Sequence, residues 1–120
     1  MSWPVPVRPS LGFLLLDDTT TYRLDSDYVI GRDPGELGHS ARTIRLFHHT
    51  GGISRRHVRI SLLGQTVKVT DLGSANGTQL ELPGGTEVVS LQPFQPRDIS
   101  VGTTIRLVRR WIRYEPGALG

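Results

Sequence analysis

The chain contains no cysteine, which excludes disulfides, thiolate metal sites and thiol redox chemistry and makes a cytoplasmic setting the simplest reading. Lysine is nearly missing as well: Lys68 is the only one, and the other 13 basic residues are arginine, for a formal net charge of +3. Genome composition alone can impose that bias. Its chemical consequence is that arginine's planar fork binds carboxylate and phosphate bidentately, which suits an anionic partner. Long apolar runs are lacking too. Leu11 to Leu16 is six residues long, lies between the proline-rich Met1 to Pro9 and the pair Asp17-Asp18, and is too short for a signal segment or a membrane span. No membrane partner is therefore expected. Alanine occurs three times against 28 valines, isoleucines and threonines, so stiff β-branched side chains outweigh helix formers.

What is present is a succession of short alternating segments separated by turn residues. Strands are expected over Thr21 to Leu24, Tyr28 to Gly31, Thr43 to Phe47, His57 to Leu63, Thr66 to Asp71, Thr78 to Leu82, Thr86 to Leu91, Ile99 to Gly102 and Thr104 to Val108. Val58, Ile60 and Leu62 share one face, and Val67 and Val69 repeat the pattern in the next segment. The Gly64-Gln65 link suits a tight hairpin, and this pair should sit centrally. Arg109-Arg110 interrupts the last alternation before Trp111 and Ile112, where a bulge or strand break is expected. The chain length of 120 residues fits one domain, and the strand spacing favours a sandwich.

Three pieces fall at strand ends, on loops, where binding residues usually lie: Gly31-Arg32, Ser54-Arg55-Arg56-His57 and Ser74-Ala75-Asn76-Gly77-Thr78. The chain between them is long enough each time to run a strand or hairpin and return to the same rim, and loops at one end of a sandwich cluster in space. A Gly-Arg, then a Ser-x-x-His, then an Asn-Gly, in this order and strand context, resembles the forkhead-associated (FHA) family. The resemblance runs from about Leu11 to Tyr114 and takes in Asp71-Leu72-Gly73-Ser74 and Ile99 to Leu107.

The resemblance implies an all-β sandwich of two antiparallel sheets, about 11 short strands in all, with the binding loops at one end. The domain would span residues 11–114, with 1–10 an N-terminal extension and 115–120 a tail or linker. It also implies phosphothreonine recognition. Arg32 would present its fork to two phosphate oxygens, Ser54 a small hydroxyl donor, and Asn76 an amide that pairs with the backbone of an extended peptide. Asn76-Gly77 also reads as a hairpin turn with both residues at positive φ. Arg55 would be a secondary phosphate contact, with Arg56 alternating away. Gly31, His57, Gly77 and Thr78 would support the loops, His57 by bonding locally to hold the Ser54 loop. The chain departs from the family at Ala75, where many members carry a threonine or serine whose hydroxyl joins the phosphate site. The partner implied is a phosphothreonine protein or peptide, supplied by a Ser/Thr kinase or by the parent chain itself. No cofactor or metal is implied, and no catalytic residue.

Other readings compete. Ser54, His57 and Asp71 contain the residue types of a hydrolase triad, but no nucleophile elbow or oxyanion loop accompanies them. His39, His48, His49 and His57, with Asp33 or Glu36, match no zinc spacing. Arg106, Arg109, Arg110 and Arg113 with Trp111 and Tyr114 form a basic, aromatic stretch of the kind that binds single-stranded nucleic acid, or a solvated face with Trp111 packed inward. A phosphorylation-independent interaction domain with a degraded pocket is the remaining alternative, because of Ala75.

Overall fold

A computed structural model of the chain describes residues 10–85 and 87–117. Met1 to Pro9, Thr86 and residues 118–120 lie outside the described residues. The strands are β1 (Phe13–Leu16), β2 (Thr21–Arg23), β3 (Tyr28–Gly31), β4 (Arg42–Arg45), β5 (Val58–Leu63) and β6 (Thr66–Asp71). They continue as β7 (Gln79–Glu81), β8 (Val88–Ser90), β9 (Arg97–Ile99), β10 (Thr104–Leu107) and β11 (Arg110–Glu115). One sheet has six strands in the order β2-β1-β11-β10-β7-β8, and the other five in the order β4-β3-β5-β6-β9. Among the described residues no helix is long and apolar enough to cross a membrane.

Alternation places one face of each strand inside. Val58 and Ile60 of β5 and Val67 and Val69 of β6 face Leu14, Ile105, Leu107 and Ile112 from the other sheet in a single buried cluster. Each such side chain contributes about 1.5–3 kcal/mol by leaving water. The β5–β6 hairpin closes through Gly64-Gln65 with Leu63 opposite Thr66, and β5 is the central strand of its sheet, as the pattern predicts.

Pairing is antiparallel except between β3 and β4, which run parallel. Parallel neighbours need a crossover, and the segment 32–41 supplies it. Arg59, on the outer face of β5, holds this crossover by donating to the Ser40 carbonyl at 3.2 Å and to Asp27 Oδ2 at 3.1 Å. Arg56 Nε donates to the Pro34 carbonyl at 2.7 Å.

Several boundaries differ from expectation. Leu11 to Leu16 contains strand β1, which pairs with β11. The interruption expected at Arg109-Arg110 is a strand break and not a bulge: Val108-Arg109 is a two-residue turn with Leu107 opposite Arg110, and a full strand β11 follows through Glu115, which is therefore not part of the tail. Trp111 does not pack inward. Ile112 and Tyr114 take the core side, and Trp111 lies half-buried on the outer face with the Arg113 guanidinium 4.9 Å from its ring. Strand β9 is Arg97–Ile99 rather than Ile99 to Gly102, because Val101-Gly102 forms a turn.

Candidate functional site

The site grows from an extension of the β3–β5 pairing beyond the strand ends. His57 N donates to Ile30 O, Arg32 N to Ser54 O at 2.9 Å, and Asp33 N to Arg55 O at 3.2 Å, so the chain carrying Arg32 lies alongside the chain carrying Ser54. Glycine is required at position 31. A Cβ there would stand 2.1 Å from the Arg55 carbonyl oxygen, and the two backbones could not approach.

His57 joins this pair to the third loop. It is fully buried. Its Nδ1 accepts the Ser54 amide at 3.1 Å, and its Nε2 lies 2.8 Å from the Gly77 carbonyl. An accepting Nδ1 assigns the proton to Nε2, which donates to Gly77. Burial lowers the pKa of this ring below the ordinary value, outweighing the Gly77 carbonyl and the Asp71 charge. The imidazole is therefore neutral in the folded protein, and it ties the Ser54 loop to the Asn76-Gly77 loop.

Asp71 organises the third loop from beneath. Its carboxylate accepts from Ser74 N at 2.8 Å, Ser74 Oγ at 2.6 Å and Thr78 Oγ1 at 2.5 Å. Burial raises its pKa, but the bonds from Ser74 and Thr78 more than offset this and hold it below the usual value. Only Gly77 of the Asn-Gly pair has positive φ, at 79°. The turn is thus not the hairpin type with both residues left-handed, and the loop is shaped by Asp71 and His57 instead.

The result is an open cleft of about 400 Å³ lined by Arg32, Gly52, Ile53, Ser54, Arg55, Ala75 and Asn76. Ala75 N donates to Ser54 Oγ at 3.0 Å, which occupies an oxygen lone pair and leaves the hydroxyl proton to point elsewhere. Asn76 Nδ2 donates to the Gly52 carbonyl at 2.8 Å, leaving its Oδ1 open. Arg32 is exposed and has no partner for its guanidinium among the described residues. An unpaired cation, a hydroxyl donor and an amide on three converging loops can bind a dianion and the backbone beside it.

The family model of the FHA domain matches residues 28–108, which include every residue lining this cleft. The chain belongs to the FHA domain family. It is 33% identical, at a TM-score of 0.62, to a structure from a study of phosphothreonine-dependent FHA domain interactions, with 89% of this chain and 97% of that chain covered. It is also 33% identical, at a TM-score of 0.60, to the FHA domain of FhaA complexed with the intracellular domain of Rv3910, over 84% of this chain and 96% of that one. The FHA domain of human APLF, in complex with an XRCC1 bisphospho peptide, shares the fold at 20% identity and a TM-score of 0.63, with 87% and 97% covered. No curated protein matches the chain significantly.

In this FHA domain Arg55 borders a second cleft of about 370 Å³, lined also by Asp33, Pro34, Gly35 and Arg56. There Arg55 Nη2 lies 3.4 Å from Asp33 Oδ2. Arg56, held on Pro34, faces this second cleft and not the first.

Sequence reasoning did not find the support beneath the loop that follows β4. Arg110 grips both oxygens of Asp17, with Nε 2.9 Å from each, while its Nη1 donates to the Phe47 carbonyl at 2.7 Å. The hydrogen bonds to Asp17 raise the Arg110 pKa further. Nothing in a local pattern announces a pair so far apart in sequence.

The competing readings lack their geometry in this FHA domain. Ser54 meets His57 through its amide and not its hydroxyl, and Asp71 bonds Ser74 and Thr78 rather than the imidazole, so the three form no proton relay. Among the described residues no three His, Asp or Glu side chains gather as a metal site. In the stretch from Arg106 to Tyr114, Arg106 pairs with Glu81, Arg110 with Asp17 and Arg113 with Glu115, while the Tyr114 hydroxyl donates to the Leu11 carbonyl. Its charges and rings are largely used within the fold.

Proposed function

We propose that this FHA domain binds a phosphothreonine peptide, with Arg32, Ser54 and Arg55 on the phosphate and Asn76 on the peptide backbone. It acts as a reader of phosphorylation and performs no reaction itself. The observation that carries this reading is the convergence of Arg32, which has no partner among the described residues, with the Ser54 hydroxyl and the Asn76 amide in one open cleft. Gly31, His57, Gly77 and Thr78 hold the three loops, and the folded unit runs from residue 11 through Glu115 at the end of β11. A cytoplasmic Ser/Thr kinase would supply the ligand, on another protein or on a segment of the parent chain. The Ala75 amide bonds Ser54 Oγ even though the family hydroxyl is missing at this position, so the loop keeps its place beside Ser54, which favours a working pocket over a degraded one.

Fluorescence anisotropy with matched peptides carrying phosphothreonine, phosphoserine or threonine tests this. The phosphothreonine peptide should bind tightest. Arg32→Ala should weaken it about 10- to 100-fold, the effect of losing charge-assisted bonds worth about 1.5–3 kcal/mol, with no change in fold by circular dichroism. Equal binding of all three peptides would defeat the reading.

A further inference from the structure

The two ends of the phosphate cleft differ in charge compensation. At the Arg55 end the cations are engaged: Arg55 with Asp33 at 3.4 Å, and Arg56 with the Pro34 carbonyl. At the other end Gly52, which accepts from Asn76, lies against the turn between β10 and β11. A Cβ placed on Gly52 would be 3.3 Å from Val108 Cγ1. The residue after Val108 is Arg109, exposed and without a partner among the described residues. Its basic neighbours Arg106, Arg110 and Arg113 all have carboxylate partners.

Arg109 does not stand alone. The His48 and His49 rings stack with centroids 4.3 Å apart. The His48 pKa is lowered, by desolvation first, then by the neighbouring His49, and also by the charges of Arg109 and Arg110. Phe47, whose carbonyl accepts from Arg110, and Val108 are 58% and 39% exposed. Arg109, without a partner among the described residues, thus follows directly on Val108, which lies against Gly52 at the Asn76 edge of the cleft.

We propose that Arg109, next to Val108 on the turn between β10 and β11, is a second contact for the bound phosphopeptide and takes an acidic side chain on the flank that passes Asn76. This rests on the phosphothreonine reading above. On the opposite flank Arg55 already serves the phosphate and Asp33, 3.4 Å away, so a further acidic side chain gains nothing there. Because the cation is exposed, the effect is a modulation of specificity, about two- to fivefold in Kd, and it shrinks as salt rises.

The test uses phosphothreonine peptides in a neutral background, with one aspartate walked outward along each side in turn, titrated by anisotropy against the wild-type chain and Arg109→Ala. The expected result is that aspartate tightens binding on one flank only, and that the ratio between aspartate and neutral peptides falls to one in Arg109→Ala. In Arg109→Glu the ratio should invert. Arg32-dependent binding of the neutral phosphopeptide with no effect of aspartate on either flank, or with a gain that survives Arg109→Ala, overturns the Arg109 proposal alone. Failure to distinguish phosphothreonine from threonine in any background removes the underlying reading and this one with it.

Discussion

Nδ1 of His57 accepts the Ser54 amide and Nε2 donates to Gly77, so a second proton on the ring would convert an acceptor into a donor facing a donor, in a fully buried place. The folded-state pKa is lowered relative to the unfolded chain, so the unfolded state takes up protons first as pH falls. The stability this group contributes is therefore complete above the ordinary histidine value of 6.5 and is lost progressively below it. Asp71, also lowered, acts with the same sign at more acidic pH. Urea unfolding at neutral and mildly acidic pH should show the loss. In His57→Asn the histidine part of the pH dependence should vanish, at a cost of about 2–3 kcal/mol at neutral pH from the unsatisfied partners. At Ala75, a hydroxyl would enter the cleft without disturbing the amide that bonds Ser54. Ala75→Ser should tighten phosphopeptide binding about three- to tenfold with unchanged melting temperature, as calorimetry would measure. The residues at the rim were legible because each chemistry needs a distinctive type: a fork, a hydroxyl, an amide. The role of Asp71 with Ser74 and Thr78 was not, since a carboxylate capping its own loop looks in sequence like any turn aspartate.

At the scale of elements, two hairpins show what made strands readable. Gly64-Gln65 and Val108-Arg109 are both two-residue turns, and in each only the first residue has positive φ, 61° at Gly64 and 60° at Val108. Glycine announces such a turn. A valine there conceals it, because β-branched residues avoid the left-handed region, and the sequence pattern suggested an interruption where a hairpin forms. That hidden hairpin carries Arg110, whose grip on Asp17 and the Phe47 carbonyl braces the loop leading to Ser54. Arg110→Ala should lower stability by about 2 kcal/mol in thermal denaturation, since it strands a partly buried carboxylate and a carbonyl. It should also weaken phosphopeptide binding through faster dissociation, visible by surface plasmon resonance. Arg110→Lys keeps the charge but not the fork, and should recover only part of either loss.

Across the whole molecule, both sheets feed one end of the sandwich: the five-stranded sheet supplies Arg32 and Ser54, and the six-stranded sheet supplies the bracing hairpin. The general architecture was legible from β-branched composition and alternation, which also placed β5 and β6 centrally. The strand order was not, because nothing local specifies that β11 inserts between β1 and β10. That insertion makes a prediction about boundaries. A fragment limited to residues 28–108, the span of the family match, lacks β1, β2 and β11 and leaves β10 without a neighbour on one side. It should give the amide spectrum of an unfolded chain by NMR, whereas residues 10–117 should give a dispersed one.

The Arg110 to Asp17 pair links positions 93 apart, and this sets an order of events during synthesis. All the side chains proposed to hold the phosphate are made well before Arg110 is. The nascent chain therefore carries its recognition residues for some time without the brace that fixes their loop, and it becomes competent to bind only when the last strand has emerged and reached back to the first.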